Sequence, residues 1–190
     1  MGSKLWDQSV SDHRKAVVEA TLDSTAALVA QHGLSAITMS LIAKETGIGR
    51  ATLYRHFPDV NAILTAWHAR EMARNLEQMA AAGRGAGAAD KRLAAVLEKY
   101  ATISFEHHRT ELAALLHQGE HAVRASKELT DFLSDLIAEG AGSGSLRDDV
   151  PSGELALFCV HSLAAAGVLK SAAAVRRLVR VTLAGLRSPC

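Results

Sequence analysis

At 190 residues the chain can bury a substantial core, either as one compact domain or as a small domain joined to a larger one. Apolar residues make up 48% and aromatics 4%, with three prolines, much Ala and Leu and no long β-branched run, a composition that favours an all-α fold over a sheet. The net charge of +1 gives no overall basic field, two cysteines are too few for a disulfide scaffold and suit a reducing cytosol, and no stretch reads as a signal peptide or bilayer span, so a cytoplasmic protein without membrane association is expected.

Residues 1–10 are expected to form an extended or partly ordered arm, with Leu5 and Trp6 tucked against the domain. Ser11 or Asp12 suits an N-cap, and a long helix is expected from there to about Gln31. Val18, Leu22, Thr25 and Val29 recur at helical spacing, and Gly33 is a natural stop. The stretch from Thr38 to Phe57, TMSLIAKETGIGRATLYRHF, predicts two short helices pinched together at a turn. Thr38 can cap the first. Gly47 and Gly49 bracket Ile48, where a residue without Cβ can take the positive φ that a tight reversal needs. Leu53 and Phe57 would point back at Ile42 and Ile48, leaving Arg50, Ala51, Thr52, Tyr54, Arg55 and His56 on the opposite side. Donors, a methyl and a phenol are what a helix in the DNA major groove uses. The same pattern also suits an ordinary αα-hairpin whose Arg and His side chains stay solvated. Charge does not decide between them, since only across 38–57 do Lys44, Arg50 and Arg55 outnumber Glu45.

The segment ITMSLIAKETGIGRATLYRHFPDVNAIL is similar, nearly position by position, to the DNA-binding domain of TetR-type transcriptional regulators, with TLYRHF after the G-x-G turn its most specific part. The resemblance implies a three-helix helix-turn-helix domain over 1–58, a linking helix over 59–82 and a regulatory and dimerisation domain over 83–190. It further implies a nucleoid-associated homodimer, usually a ligand-responsive repressor, on a palindromic double-stranded DNA operator, with an unknown small-molecule effector and no cofactor. Each reading helix would enter the major groove of half-sites roughly 34–36 Å apart. By residue type Arg50 and Arg55 suit guanine edges, and Ala51 a thymine methyl. The family's pattern puts Tyr54 and His56 on phosphates and lets Thr38, Ser40 and Thr52 contribute further contacts, with Lys44 the weakest candidate. One departure is Val60, where many members carry Lys, although a subgroup with FPDVEAIL is closely matched by FPDVNAIL.

Pro58 ends the reading helix and Asp59 can cap the next, expected over 60–82 with Ile63, Leu64, Trp67, Met72, Leu76 and Met79 buried. GRGAGAA at 83–89 is a loop without the strand that a dinucleotide fingerprint requires. Helices are expected over 90–107, 110–119 and 125–140, a flexible loop at 140–145, and two final helices over 152–169 and 172–187. Cys159, in the first of these two, reads as a small core or interface residue. The final helix repeats Val175, Leu178, Val179, Thr182, Leu183 and Leu186 at i, i+3, i+4, i+7. Core packing and an interface explain that stripe equally. The resemblance favours a two-fold four-helix interface, with Leu155, Leu163, Ala166, Val175, Leu178, Val179, Thr182 and Leu186 as its candidates.

The resemblance also implies a ligand pocket, for which Tyr100, Phe105, Leu116, His117, Phe132 and His161 are the candidate lining. The run His117-Gln118-Gly119-Glu120-His121 matches H-x-x-E-H, in which two histidines one turn apart hold zinc and Glu120 would be the general base. Gly119 inside the motif helix and the absence of any substrate-binding strand weigh against a zinc-dependent hydrolase. A metal-sensing site on His117 and His121, joined by His107, His108 or His161, is the milder alternative. Solvated or pocket-lining histidines are the commoner arrangement, and no metal is expected.

Overall fold

The computed structural model describes residues 2–107 and 120–188, which form eight α-helices and two 3-10 turns with no strand among them. The fold is all-α, as the composition and periodicity predicted, and divides into two compact units, Met1–Glu71 and Met72–Cys190.

The first unit begins with α1 (Gly2–His32), a 3-10 turn (Leu34–Ala36), α2 (Met39–Thr46) and α3 (Arg50–His56), and takes in the first half of α4 (Val60–Gly83). Helices as short as α2 and α3 are not stable alone, so packing must hold them. Leu22 and Leu28 of α1, Met39, Ile42 and Ala43 of α2, Leu53 of α3, Phe57 and Ile63 form one buried cluster. Burying each large side chain contributes about 1.5–3 kcal/mol. The expected arm at 1–10 is instead the start of α1, because nothing after Gly2 breaks the helix before His32. Trp6 is 72% exposed rather than tucked in, and the side chain of Leu5 lies outside the described residues.

The second unit holds the rest of α4, α5 (Ala89–His107), α6 (Glu120–Gly142), α7 (Ser152–Ala164) with its 3-10 turn (Ala165–Val168), and α8 (Ala172–Ala184). The helix expected over 110–119 lies outside the described residues. Helix α5 packs against α6, α7 and α8 through Leu93, Val96, Leu97 and Ala101, all fully buried on one stripe. Leu133 and Ile137 of α6 and Cys159 and Leu163 of α7 meet the same core. Burial pushes the Cys159 thiol up to about 12, so it packs there as a neutral small side chain.

After α6 the chain turns back on Gly140. Its carbonyl accepts from the backbone N–H groups of Ser145 (2.9 Å) and Leu146 (3.1 Å) and from the Ser143 and Ser145 hydroxyls. Arg147 then reaches the end of α8. Its backbone N–H donates to the Leu186 carbonyl at 3.0 Å, and its Nη1 donates to the Gly185 carbonyl at 3.0 Å, a cation where the helix dipole is negative. Among the described residues no helix is long and apolar enough to cross a membrane.

Leu146 lies so close over Gly140 that an added Cβ would sit 2.4 Å from its Cδ1. Gly140→Ala is therefore expected to lower the unfolding free energy by about 1–3 kcal/mol. Gly142→Ala, where a Cβ would meet nothing, is expected to be neutral or stabilising by roughly 0.4–1 kcal/mol. Urea titration of the two variants separates these outcomes.

Candidate nucleic-acid interface

The turn between α2 and α3 is built from Thr38, Thr46 and Gly47. Extended backbone at Thr38 lets its hydroxyl accept the Leu41 N–H at 3.1 Å and cap α2. At the other end the Thr46 hydroxyl donates to the Ile42 carbonyl (2.8 Å) and accepts the Ile48 N–H (3.2 Å), covering two backbone groups that the end of a helix leaves open. Gly47 takes the left-handed conformation at φ 68° and ends α2. Gly49, expected to share that role, has φ −59° and simply precedes α3. Its carbonyl accepts from the N–H groups of Thr52 (2.9 Å) and Leu53 (3.0 Å), starting the next helix.

The orientation of α3 follows from its one fully buried residue. Leu53 enters the cluster of Ile42, Phe57 and Ile63, whereas Ile48 stays half-buried. Arg50, Ala51, Tyr54 and Arg55 then face outward, with Thr52 and His56 half-buried at the margins. Thr38, Ser40 and Lys44 of the preceding helix are also exposed. The Tyr54 phenol is 53% exposed on the outer side of the helix. Pro58 closes the helix, and Asp59 caps α4 by accepting the Ala62 N–H at 2.8 Å.

The candidate residues of the second unit divide. Tyr100, Phe105 and Phe132 are half-buried against its core. Burial raises the Tyr100 pKa, against a smaller lowering by a hydrogen bond with Ser104, and its hydroxyl lies 3.5 Å from the Val160 carbonyl as donor. His161 does not join them, being exposed on α7. Leu116, His117 and the side chain of His121 lie outside the described residues, as do His108 and the side chain of His107. Among the described residues no three His, Cys, Asp or Glu side chains gather to hold a metal.

The interface candidates divide as well. Leu155, Leu163, Ala166, Val175, Val179, Thr182 and Leu186 are buried inside the chain's own core, and Leu178 is half-buried beside it. The helical period found a stripe, but the stripe faces inward. The surface left outside carries Leu157, Phe158 and Val181, the last 68% exposed. Phe158 lies against Gly185 (3.5 Å from its ideal Cβ position), and Val181 stands one turn before Gly185, so both belong to one outer patch of α7 and α8. The signal for it was present in ELALFCVHSLA, which is apolar nearly all round and so implies two covered faces rather than one.

Residues 22–66 match the sequence profile described as bacterial regulatory proteins, tetR family. The fatty acid metabolism regulator protein of Bacillus subtilis (strain 168) is 22% identical over 134 residues, which are 67% of this chain and 69% of that protein. A transcriptional regulator of the TetR/AcrR family from Thermobifida fusca YX-ER1 has the same fold, with a TM-score of 0.77 at 19% identity, covering 93% of this chain and 99% of the other. A transcriptional regulator FadR from Bacillus subtilis, solved in complex with stearoyl-CoA, gives a TM-score of 0.68 at 17% identity, covering 89% and 99%.

Gly47→Ala forces a Cβ into left-handed backbone and is expected to cost about 1–2 kcal/mol. Gly49→Ala, at an ordinary φ and with open space around it, is expected to cost less in the same thermal unfolding measurement.

Proposed function

We propose that the chain is a TetR-type transcriptional regulator, as the match of residues 22–66 to that family's profile supports, and that it acts as a homodimeric, effector-released repressor on a pseudo-palindromic operator. The observation that carries this is the division of α3. Leu53 is sunk in the core, while Arg50, Ala51, Tyr54 and Arg55 stand in solvent with groups suited to base edges and phosphates. In this reading Arg50 and Arg55 take guanine edges and Ala51 packs on a thymine methyl. Tyr54 and His56 hold phosphates, and Thr38, Ser40 and Thr52 complete the contact. The domain limits proposed are 1–58 for reading, 59–82 for linking and 83–190 for regulation and dimerisation.

We propose an acyl thioester of coenzyme A as the effector. The names of the related Bacillus subtilis protein and of the stearoyl-CoA complex support this class. The effector would weaken operator binding by its differential affinity for the two states, and by no more.

Selection from a random DNA library is expected to return a two-fold symmetric consensus. Arg50→Ala and Tyr54→Ala should each weaken binding to it by about 10- to 100-fold, the loss of one good contact. A long-chain acyl-CoA should release the operator where free coenzyme A does not. Binding without a symmetric consensus would overturn the proposal.

For the dimer, the outer patch of Leu157, Phe158 and Val181 replaces the inward-facing stripe as the proposed interface. Val181→Asp changes an exposed residue, so the chain should still fold. Sedimentation should show a monomer where the unmodified chain is a dimer, and the footprint should be lost.

A further inference from the structure

On α4 the buried Ile63 and the half-buried Trp67 lie against the core of the first unit, and the next position on the same stripe is Arg70. An apolar side chain is what that position asks for, yet it holds a guanidinium only 13% exposed. Two carboxylates of α1, one turn apart, meet it. Nη1 lies 2.7 Å from Glu19 and Nη2 2.8 Å from Asp23, while Nε, 3.8 Å from the Glu71 carboxylate, is buried without a hydrogen bond. Burial works against the charge, but the hydrogen bonds and fields of Glu19 and Asp23 outweigh it and raise the Arg70 pKa.

Stability is a poor reason for such an arrangement. A shielded guanidinium loses hydration, its partners are more than half exposed, and an apolar side chain of similar volume often does as well or better. Geometry is the better reason. A planar fork that must satisfy two carboxylates on another helix fixes both the spacing and the rotation of the two helices, which apolar contact tolerates loosely. Ile63 of the same helix packs in the cluster that holds Leu53 of α3. A change in how α4 lies on α1 therefore reaches the residue that aims the reading helix.

We infer that Arg70 is a positioning residue for operator recognition, a fork that sets α4 against α1 in the orientation in which α3 is presented to DNA. The inference rests on the proposed DNA-reading role of α3. In Arg70→Met the stem is kept and the fork removed. Operator affinity should fall about tenfold, within the range of ordinary coupling energies, while the melting temperature stays level or rises. Arg70→Lys, which restores the charge but cannot span both carboxylates, should recover only part of the loss. Glu19→Gln and Asp23→Asn should each give an intermediate affinity. Amide exchange of the DNA-free protein should quicken in the first half of α4 in Arg70→Met. Unchanged operator affinity in Arg70→Met would overturn the inference, as would a loss of affinity that simply tracks a lower melting temperature. Should the unmodified chain bind no symmetric DNA, the regulator reading fails instead. Exchange then still decides the fork, with quickening supporting it and no change refuting it.

Discussion

The burial of Leu53 is the constraint on which the first unit turns. Helix α3 has a single residue fully inside the core, and a helix of that length cannot hold its shape without such an anchor. Once Leu53 is seated among Ile42, Phe57 and Ile63, the helical period turns Ala51 and Arg55 directly away from the core. Tyr54 on the flank and Arg50 at the first turn are exposed as well. The turn before it is held by Gly47 and by the Thr46 hydroxyl, which together end α2 and set the angle at which α3 departs. The same helix thus carries one side chain that anchors it in the core and several polar side chains that remain in solvent.

The second unit follows a different economy. Helix α5 is enclosed by α6, α7 and α8, and small residues such as Ala101, Ala156 and Ala166 let these helices approach closely. Its edges are fastened by backbone groups rather than by further apolar contact. The Gly140 carbonyl gathers the loop after α6, and Arg147 secures the end of α8 while Asp149 accepts from its Nε and Nη2 at 2.7 Å. The apolar side chains left outside include Val123, Val168 and the patch around Phe158 and Val181.

Local grammar was legible in the chain. The cap at Thr38, the glycine turn after α2, the cap at Asp59 and the inward Leu53 were readable from residue type and spacing, and the structure has each of them, with Gly47 alone of the two glycines taking the left-handed backbone. Two readings depended on partners that spacing alone does not show. The arm at 1–10 had no apolar periodicity to announce a helix, but helix formation needs only the absence of a breaker once α1 is nucleated further along. The stripe Val175, Val179 and Leu186 was real, yet an apolar face does not say whether its own chain or another covers it. Arg70 was invisible for a related reason, because a charge on an apolar stripe acquires meaning only when Glu19 and Asp23 are brought up to it.

By itself, then, the sequence determined what depends on neighbours within a few residues: the all-α class, the turn and caps of α2 and α3, and the side of α3 that must be buried. Tertiary structure alone decided which face of α7 and α8 is the core and which is free, that His161 stands apart from Tyr100 and Phe132, and that Arg70 clasps α1. The physical reason is range. Backbone preferences and helical period act over one or two turns, whereas burial and charge pairing depend on which distant segments the fold brings together.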